Sequence, residues 1–289
     1  MCISGREGKM GKVLLWLLAV VMPGRMVVAE VVPTHPVRFF DENTFYAGVE
    51  WAKKHSTVVG YHVRGGIVPH HLFPGFILAD FFQRLAVQQT STIIFIGPNH
   101  YEKGKFKLLS SEYGWETPFG VVSPDKQMIR ELVKAEVMKI DEETVAGDHS
   151  VAGMMPFVSY YLPDTTVVPI LVSRHTTENE IERLVEALKG YMNQEVVLVA
   201  PVDFSHYLVN KQAQTKDEVT LQAIKSFDYR QLFAMNNDYL DSPQSIATLL
   251  MLMQKLGSAN MEVLQHANSG ELQHDENIST TSYFSMVYH

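Results

Sequence analysis

Three short segments of this chain place a histidine just behind an apolar run. Gly66-Ile67-Val68 leads into Pro69-His70-His71, and residues 92–96 lead into Gly97-Pro98-Asn99-His100-Tyr101. Residues 196–200 lead into Pro201-Val202-Asp203-Phe204-Ser205-His206-Tyr207. A fourth segment, Gly147-Asp148-His149-Ser150, reads as a loop ahead of Met155-Pro156-Phe157. Neutral imidazoles ligate iron, copper, nickel or zinc. Two histidines and one carboxylate on one face leave open positions for substrate and dioxygen at Fe(II), and an unligated histidine nearby can exchange protons. The single cysteine, Cys2, rules out an intrachain disulfide and a cysteine-based zinc site, so any ion must be held by His, Asp or Glu. The chain has 12 histidines, and a histidine in a turn commonly serves only loop hydrogen bonds. Asp203 has an equally plain reading as a turn cap, and His71 one as a mere neighbour of His70. No G-x-S-x-G elbow, P-loop, G-x-G-x-x-G or H-E-x-x-H is present.

These segments converge only if the elements behind them are neighbours. The body alternates strands and helices. Strands are expected at 66–68, 92–96, 166–172 and 196–200, with closing strands at 263–264 and 282–287. Helices are expected at 76–87, 124–138, 178–192, 216–227, 229–235 and 243–256. Segments 106–110 and 120–122 read as the arms of a hairpin-like excursion. Pro169 argues that its strand lies at an edge or carries a bulge. Continuous apolar strands between amphipathic helices predict an α/β domain over residues 30–289, its central mixed, mostly parallel sheet covered on both faces. Sites in such sheets form just past strand ends, so His70, His100 and the Asp203/His206 pair would share one rim.

The 289 residues are 46% hydrophobic and 19% charged, a globular composition. A formal charge of −8 leaves no basic footprint for nucleic acid. At the N-terminus Arg6, Lys9 and Lys12 precede an apolar run over 13–22, then Pro23-Gly24 and Val27-Val28-Ala29. That order predicts a secretory signal over residues 1–29, cleaved after Ala29, and export to the periplasm or exterior. The run is short for a membrane span; uncleaved, it would serve as an anchor, and a misassigned start would leave a cytoplasmic protein.

Several motifs resemble the Memo family (AmmeMemoRadiSam system protein B). Ile67-Val68-Pro69-His70 and Ile94-Phe95-Ile96-Gly97-Pro98-Asn99-His100 resemble its two histidine blocks. Trp115-Glu116-Thr117-Pro118-Phe119-Gly120, Asp148-His149-Ser150, Asp203-Phe204-Ser205-His206-Tyr207 and Ser282-Tyr283 follow in the family's order. The resemblance implies a fold like the class III extradiol dioxygenases of the protocatechuate type. It implies that His70 and His100 are metal ligands, that His206 is the acid/base histidine, and that Asp203 shares the pocket with His71, His149, Asp148 and Asn99. It also implies iron or copper, and a functional link to a radical-SAM protein.

Three positions depart from the family pattern. No cysteine precedes the helix at 243–256; Asp241 aligns there and would complete two histidines and one carboxylate, favouring Fe(II) over copper or zinc. Asp241 could instead cap the helix, since Asp-Ser-Pro is a helix-start signal. Ala152 stands where the family usually has Glu, and His71 where it has a small residue. The leading expectation is a dioxygenase-like oxidoreductase on a non-haem metal. The alternatives are a non-catalytic metal- or partner-binding protein and a metal-assisted hydrolase with His206 or Asp203 activating water.

Overall fold

The longest apolar runs of the sequence form the middle of the sheet, because a strand buried on both faces needs no polar alternation. The computed structural model describes residues 33–289, which fall in one compact unit. The leader expected over residues 1–29, and Cys2 with it, lie outside the described residues. The elements begin with β1 (Thr34–His35), α1 (Glu42–His55), β2 (Gly65–Val68), α2 (Gly75–Leu85), β3 (Thr92–Pro98), β4 (Leu108–Ser110), β5 (Gly114–Thr117) and β6 (Gly120–Val122). Next come α3 (Lys126–Lys134), β7 (Lys139–Ile140), α4 (Glu142–Gly147), α5 (His149–Ala152), α6 (Met155–Tyr161), β8 (Thr166–Val172), α7 (Glu178–Lys189) and β9 (Val196–Pro201). The chain closes with β10 (His206–Leu208), α8 (Asn210–Lys225), α9 (Tyr229–Phe233), α10 (Pro243–Leu256), β11 (Met261–Asn268), α11 (Ser269–Leu272) and β12 (Thr280–Tyr288).

Among the described residues, nine strands form one sheet in the order β10-β12-β2-β9-β3-β8-β4-β7, with β11 also paired to β12. The centre, β2-β9-β3-β8, is parallel, while β12 and β4 run antiparallel to their central neighbours. Alternate residues feed two apolar layers. Ile94, Ile96, Val168, Ile170 and Leu198 pack with α3, α7 and α10 on one face, and Ile93, Phe95, Val167, Val197 and Val199 with α1, α2 and α6 on the other. No helix among the described residues is long and apolar enough to cross a membrane.

The structure differs locally from the sequence-based expectations. Strand β8 is interior and carries no register shift, although it contains Pro169. Its pairing with β4 ends at Ser110↔Ile170, so Pro169 lies one residue past that ladder, and its carbonyl accepts the Ser110 hydroxyl at 2.7 Å. The hairpin of this region is β5–β6, in a separate small sheet with β1, while β4 joins the main sheet. Helix α8 begins six residues before the expected 216, behind Val209, whose side chain makes no capping bond. Helix α1 went unread in sequence, and residues 149–152 are a helical turn rather than loop.

Candidate metal centre

Strands β2, β9 and β3 are adjacent and parallel, so their carboxyl ends share one rim. His70, Asp203 and His100 each stand two residues past those ends, behind Val68, Pro201 and Pro98. The equal offset carries all three side chains into one place. Asp241 arrives from the segment between α9 and α10, and its N–H donates to the Asp203 carbonyl at 3.1 Å. The capping of α10 falls to Ser242, whose side chain accepts the Ser245 N–H. The Asp241 carboxylate is thereby left free for the rim.

The distances bring three donor atoms together. His70 Nε2 lies 3.2 Å from His100 Nε2 and 3.2 Å from Asp241 Oδ2, and His100 Nε2 lies 3.7 Å from Asp241 Oδ2. Three donors about 2.1 Å from a shared ion would stand roughly 3.0–3.4 Å apart at octahedral or tetrahedral angles; the two 3.2 Å separations fall in that range and the 3.7 Å one lies just beyond it, so the residues present fit a divalent ion with a small closure of His100 on Asp241. Both Asp241 oxygens are buried without a hydrogen-bond donor, which is costly unless a cation compensates. Overlapping groups around His70 also bring in His149 with His100, and Asp203 with Asp241, all donors lying within 4.8 Å of one another.

Hydrogen bonds outside the triangle orient both imidazoles. His70 Nδ1 donates to the Pro201 carbonyl at 3.1 Å, because a carbonyl can only accept, which leaves a lone pair on Nε2. His100 Nδ1 meets Asp148 Oδ1 at 2.9 Å, so its Nε2 also faces inward. Burial depresses His70 to about 3, outweighing the raising effect of Asp241, so this ring is neutral. Burial also opposes charge on His100, but its hydrogen bond to Asp148 and the charges of Asp148 and Asp241 lift it to about 10. Burial would raise Asp148, yet the bond to His100 and two backbone N–H groups hold it at about 2. The proton on His100 thus supplies the positive charge that the two carboxylates require.

Residues 42–287 match the family model described as Memo-like protein. The chain belongs to this family. A MEMO1 family protein of Pyrobaculum aerophilum is 28% identical over 260 residues, covering 83% of this chain and 92% of the relative. A MEMO1 family protein of Sulfurisphaera tokodaii is 30% identical over 233 residues, covering 77% of this chain and 81% of the relative. The crystal structure of an uncharacterized protein from Escherichia coli K12 superposes with a TM-score of 0.51 at 12% identity, over 77% of this chain and 99% of that one. That likeness carries the fold alone.

The other residues singled out in this Memo-like chain divide around the centre. Asp203 is buried, its Oδ1 accepts the backbone N–H groups of His70 and His71 at 3.0 and 3.5 Å, and its Oδ2 lies 3.6 Å from His70 Nε2. Burial pushes its carboxyl above the ordinary range, against the charges of His206 and His71 and those two N–H groups. His149 stacks on His100, ring centroids 4.1 Å apart, and meets His70 edge-on at 5.0 Å; sequence reading gave it no ligand role. The signal was present, since Asp148 caps the short α5 that begins with His149. His71 Nδ1 bonds the Tyr283 hydroxyl at 2.7 Å, outside the triangle. Asn99 turns away, bonding Lys103 to close the loop behind His100. The His206 side chain makes no hydrogen bond and has a buried, unpartnered Nδ1; its charge reaches Asp203. Ala152 is buried in the apolar layer with Val151 and Met155 and adds no polar group.

Proposed function

We propose that this chain is a metal-dependent oxidoreductase with dioxygenase-like chemistry, its ion held by His70, His100 and Asp241. One observation carries the reading: three donor atoms 3.2–3.7 Å apart, one of them on a buried carboxylate with no hydrogen-bond donor. Two histidines and one carboxylate on one face with open positions form the donor set of non-haem Fe(II) centres, which we take over copper or zinc. When bound, such an ion supplies open coordination positions and redox capacity.

The chain's own residues do the rest. Pro201 and Asp148 lock the tautomers of the two histidines. Asp203 holds the His70–His71 backbone through its Oδ1 and keeps its Oδ2 beside the cluster. His206, with its free Nδ1, is assigned the proton-exchange role, and Asp203 orients it electrostatically. The expected link to a radical-SAM protein would then supply or consume what this centre acts on.

The test is anaerobic purification of the full chain with metal analysis and oxygen uptake on a panel of phenols and catechols. About one iron per chain is expected, lost in His70→Ala, His100→Ala and Asp241→Ala, with uptake lost in parallel. Unchanged metal content in the two histidine variants would sink the assignment. Metal without turnover on any phenol would favour a binding protein, and zinc with esterase activity a hydrolase.

A further inference from the structure

A cavity of about 370 Å³ opens beside the cluster. Its floor is imidazole, from His70, His71 and His149. Its wall is apolar, from Phe39, Leu72 and Phe73, with Phe39 and His149 ring centroids 6.0 Å apart. That volume suits one substituted ring with a short side chain, as pockets of roughly 300 Å³ and above hold small ligands.

The charge around the opening is one-sided. Among the described residues, no lysine or arginine lines the cavity. The start of α1 lies at the rim, but its positive end is already satisfied, because Asp41 lines the cavity and its carboxylate accepts the Thr44 N–H at 2.7 Å. Hydrogen bonds from Thr44 hold that carboxyl below its ordinary value, so it stays charged. The nearby cations Arg38, Lys103 and Lys105 line a different cleft, which shares none of the three imidazoles.

We infer that the molecule admitted to this centre is an uncharged, single-ring apolar compound with its polar end toward His70, His71 and His149, and that anionic substituents are rejected at the Asp41 rim. An anionic substituent at the rim would lose hydration and face the Asp41 carboxylate with no lysine or arginine among the described residues beside it, whereas a neutral ring would exchange water for aromatic contact. The inference rests on the metal-centre reading above for the cavity's purpose.

The probes are 4-propylphenol and 3-(4-hydroxyphenyl)propionate, alike in size and different in charge. Binding to the metal-free full chain is measured by calorimetry, with the His71 and His149 ring signals followed by NMR. The neutral probe is expected to bind on the order of tenfold tighter and to shift both ring signals. Asp41→Asn keeps a capping side chain and removes the rim charge, so the gap should narrow several-fold. Phe73→Arg, at a position 40% exposed, should reverse the order. Equal or tighter binding of the propionate by the unaltered chain would overturn the inference, as would ring signals that neither probe moves. The two readings separate cleanly: a chain that takes up no metal but keeps the neutral preference defeats the oxidoreductase proposal and sustains this one.

Discussion

On the proposed reading, Asp241 tunes which metal this centre prefers. Its two oxygens are buried beside His70 and His100 with no donor of their own, while Ser242 takes the capping work. A thiolate at this position would soften the donor set. Asp241→Cys is therefore expected to shift the preference from iron toward copper or zinc, read by competition between the ions under anaerobic conditions. The His100–Asp148 pair sets the pH response of the metal-free chain. Asp148 is lowered from 3.8 to about 2, so its contribution to stability is complete above 3.8 and lost as pH falls through about 2. His100 is raised from 6.5 to about 10, so its contribution is complete below 6.5 and lost as pH rises through about 10. Thermal melts of the metal-free chain should decline on both sides of that window, and the alkaline limb should flatten in Asp148→Asn. On the proposed reading, a metal at His100 would displace that proton, so apparent affinity should climb with pH toward 10, with proton release seen by calorimetry.

At the scale of elements, α5 is a turn of four residues on which the centre leans. Asp148 caps it, fixes His100 through two bonds and places His149 against the His100 ring. The turn sits against β3 only because residue 97 is glycine; a Cβ there would lie 2.7 Å from Ser150 Oγ and 3.0 Å from Ser150 Cβ. Gly97→Ala is expected to cost about 1–3 kcal/mol by denaturant unfolding, as overpacking does, and to weaken metal binding by displacing Asp148. Asp148→Ala removes an orienting partner and should lower metal affinity roughly 10–100-fold, with Asp148→Asn recovering the cap but only part of the affinity. Strands of unbroken β-branched and aliphatic residues were legible in sequence, as were the helices with clear apolar stripes, because their periodicities are local. Helix α1 and the early start of α8 were not. Helix α1 has the stripe Phe45, Gly48, Val49 and Ala52, but two of its four members are small and weakly apolar, and the first turn of α8 buries only Asn210 and Ala213.

Across the whole molecule, the centre closes the sheet's rim with residues drawn from positions 70, 100, 203 and 241, on elements far apart along the chain. An ion binding only the folded form therefore ties several elements together. Free metal at about 100 times its Kd should add about 2.7 kcal/mol of stability, raising Tm by very roughly 5–10 °C, and the rise should vanish in His70→Ala and His100→Ala. The sequence alone determined the α/β class, the order of the main strands and helices, and that the ligands must be histidine and carboxylate, since composition and short-range periodicity carry that information. Tertiary structure decided which strands are neighbours, that Ser242 rather than Asp241 caps α10, that Pro169 sits inside the sheet, and that His149 joins the cluster while Asn99 turns away. Those outcomes depend on strand register and on competition among nearby side chains for the same hydrogen bonds, neither of which can be read from spacing along a chain.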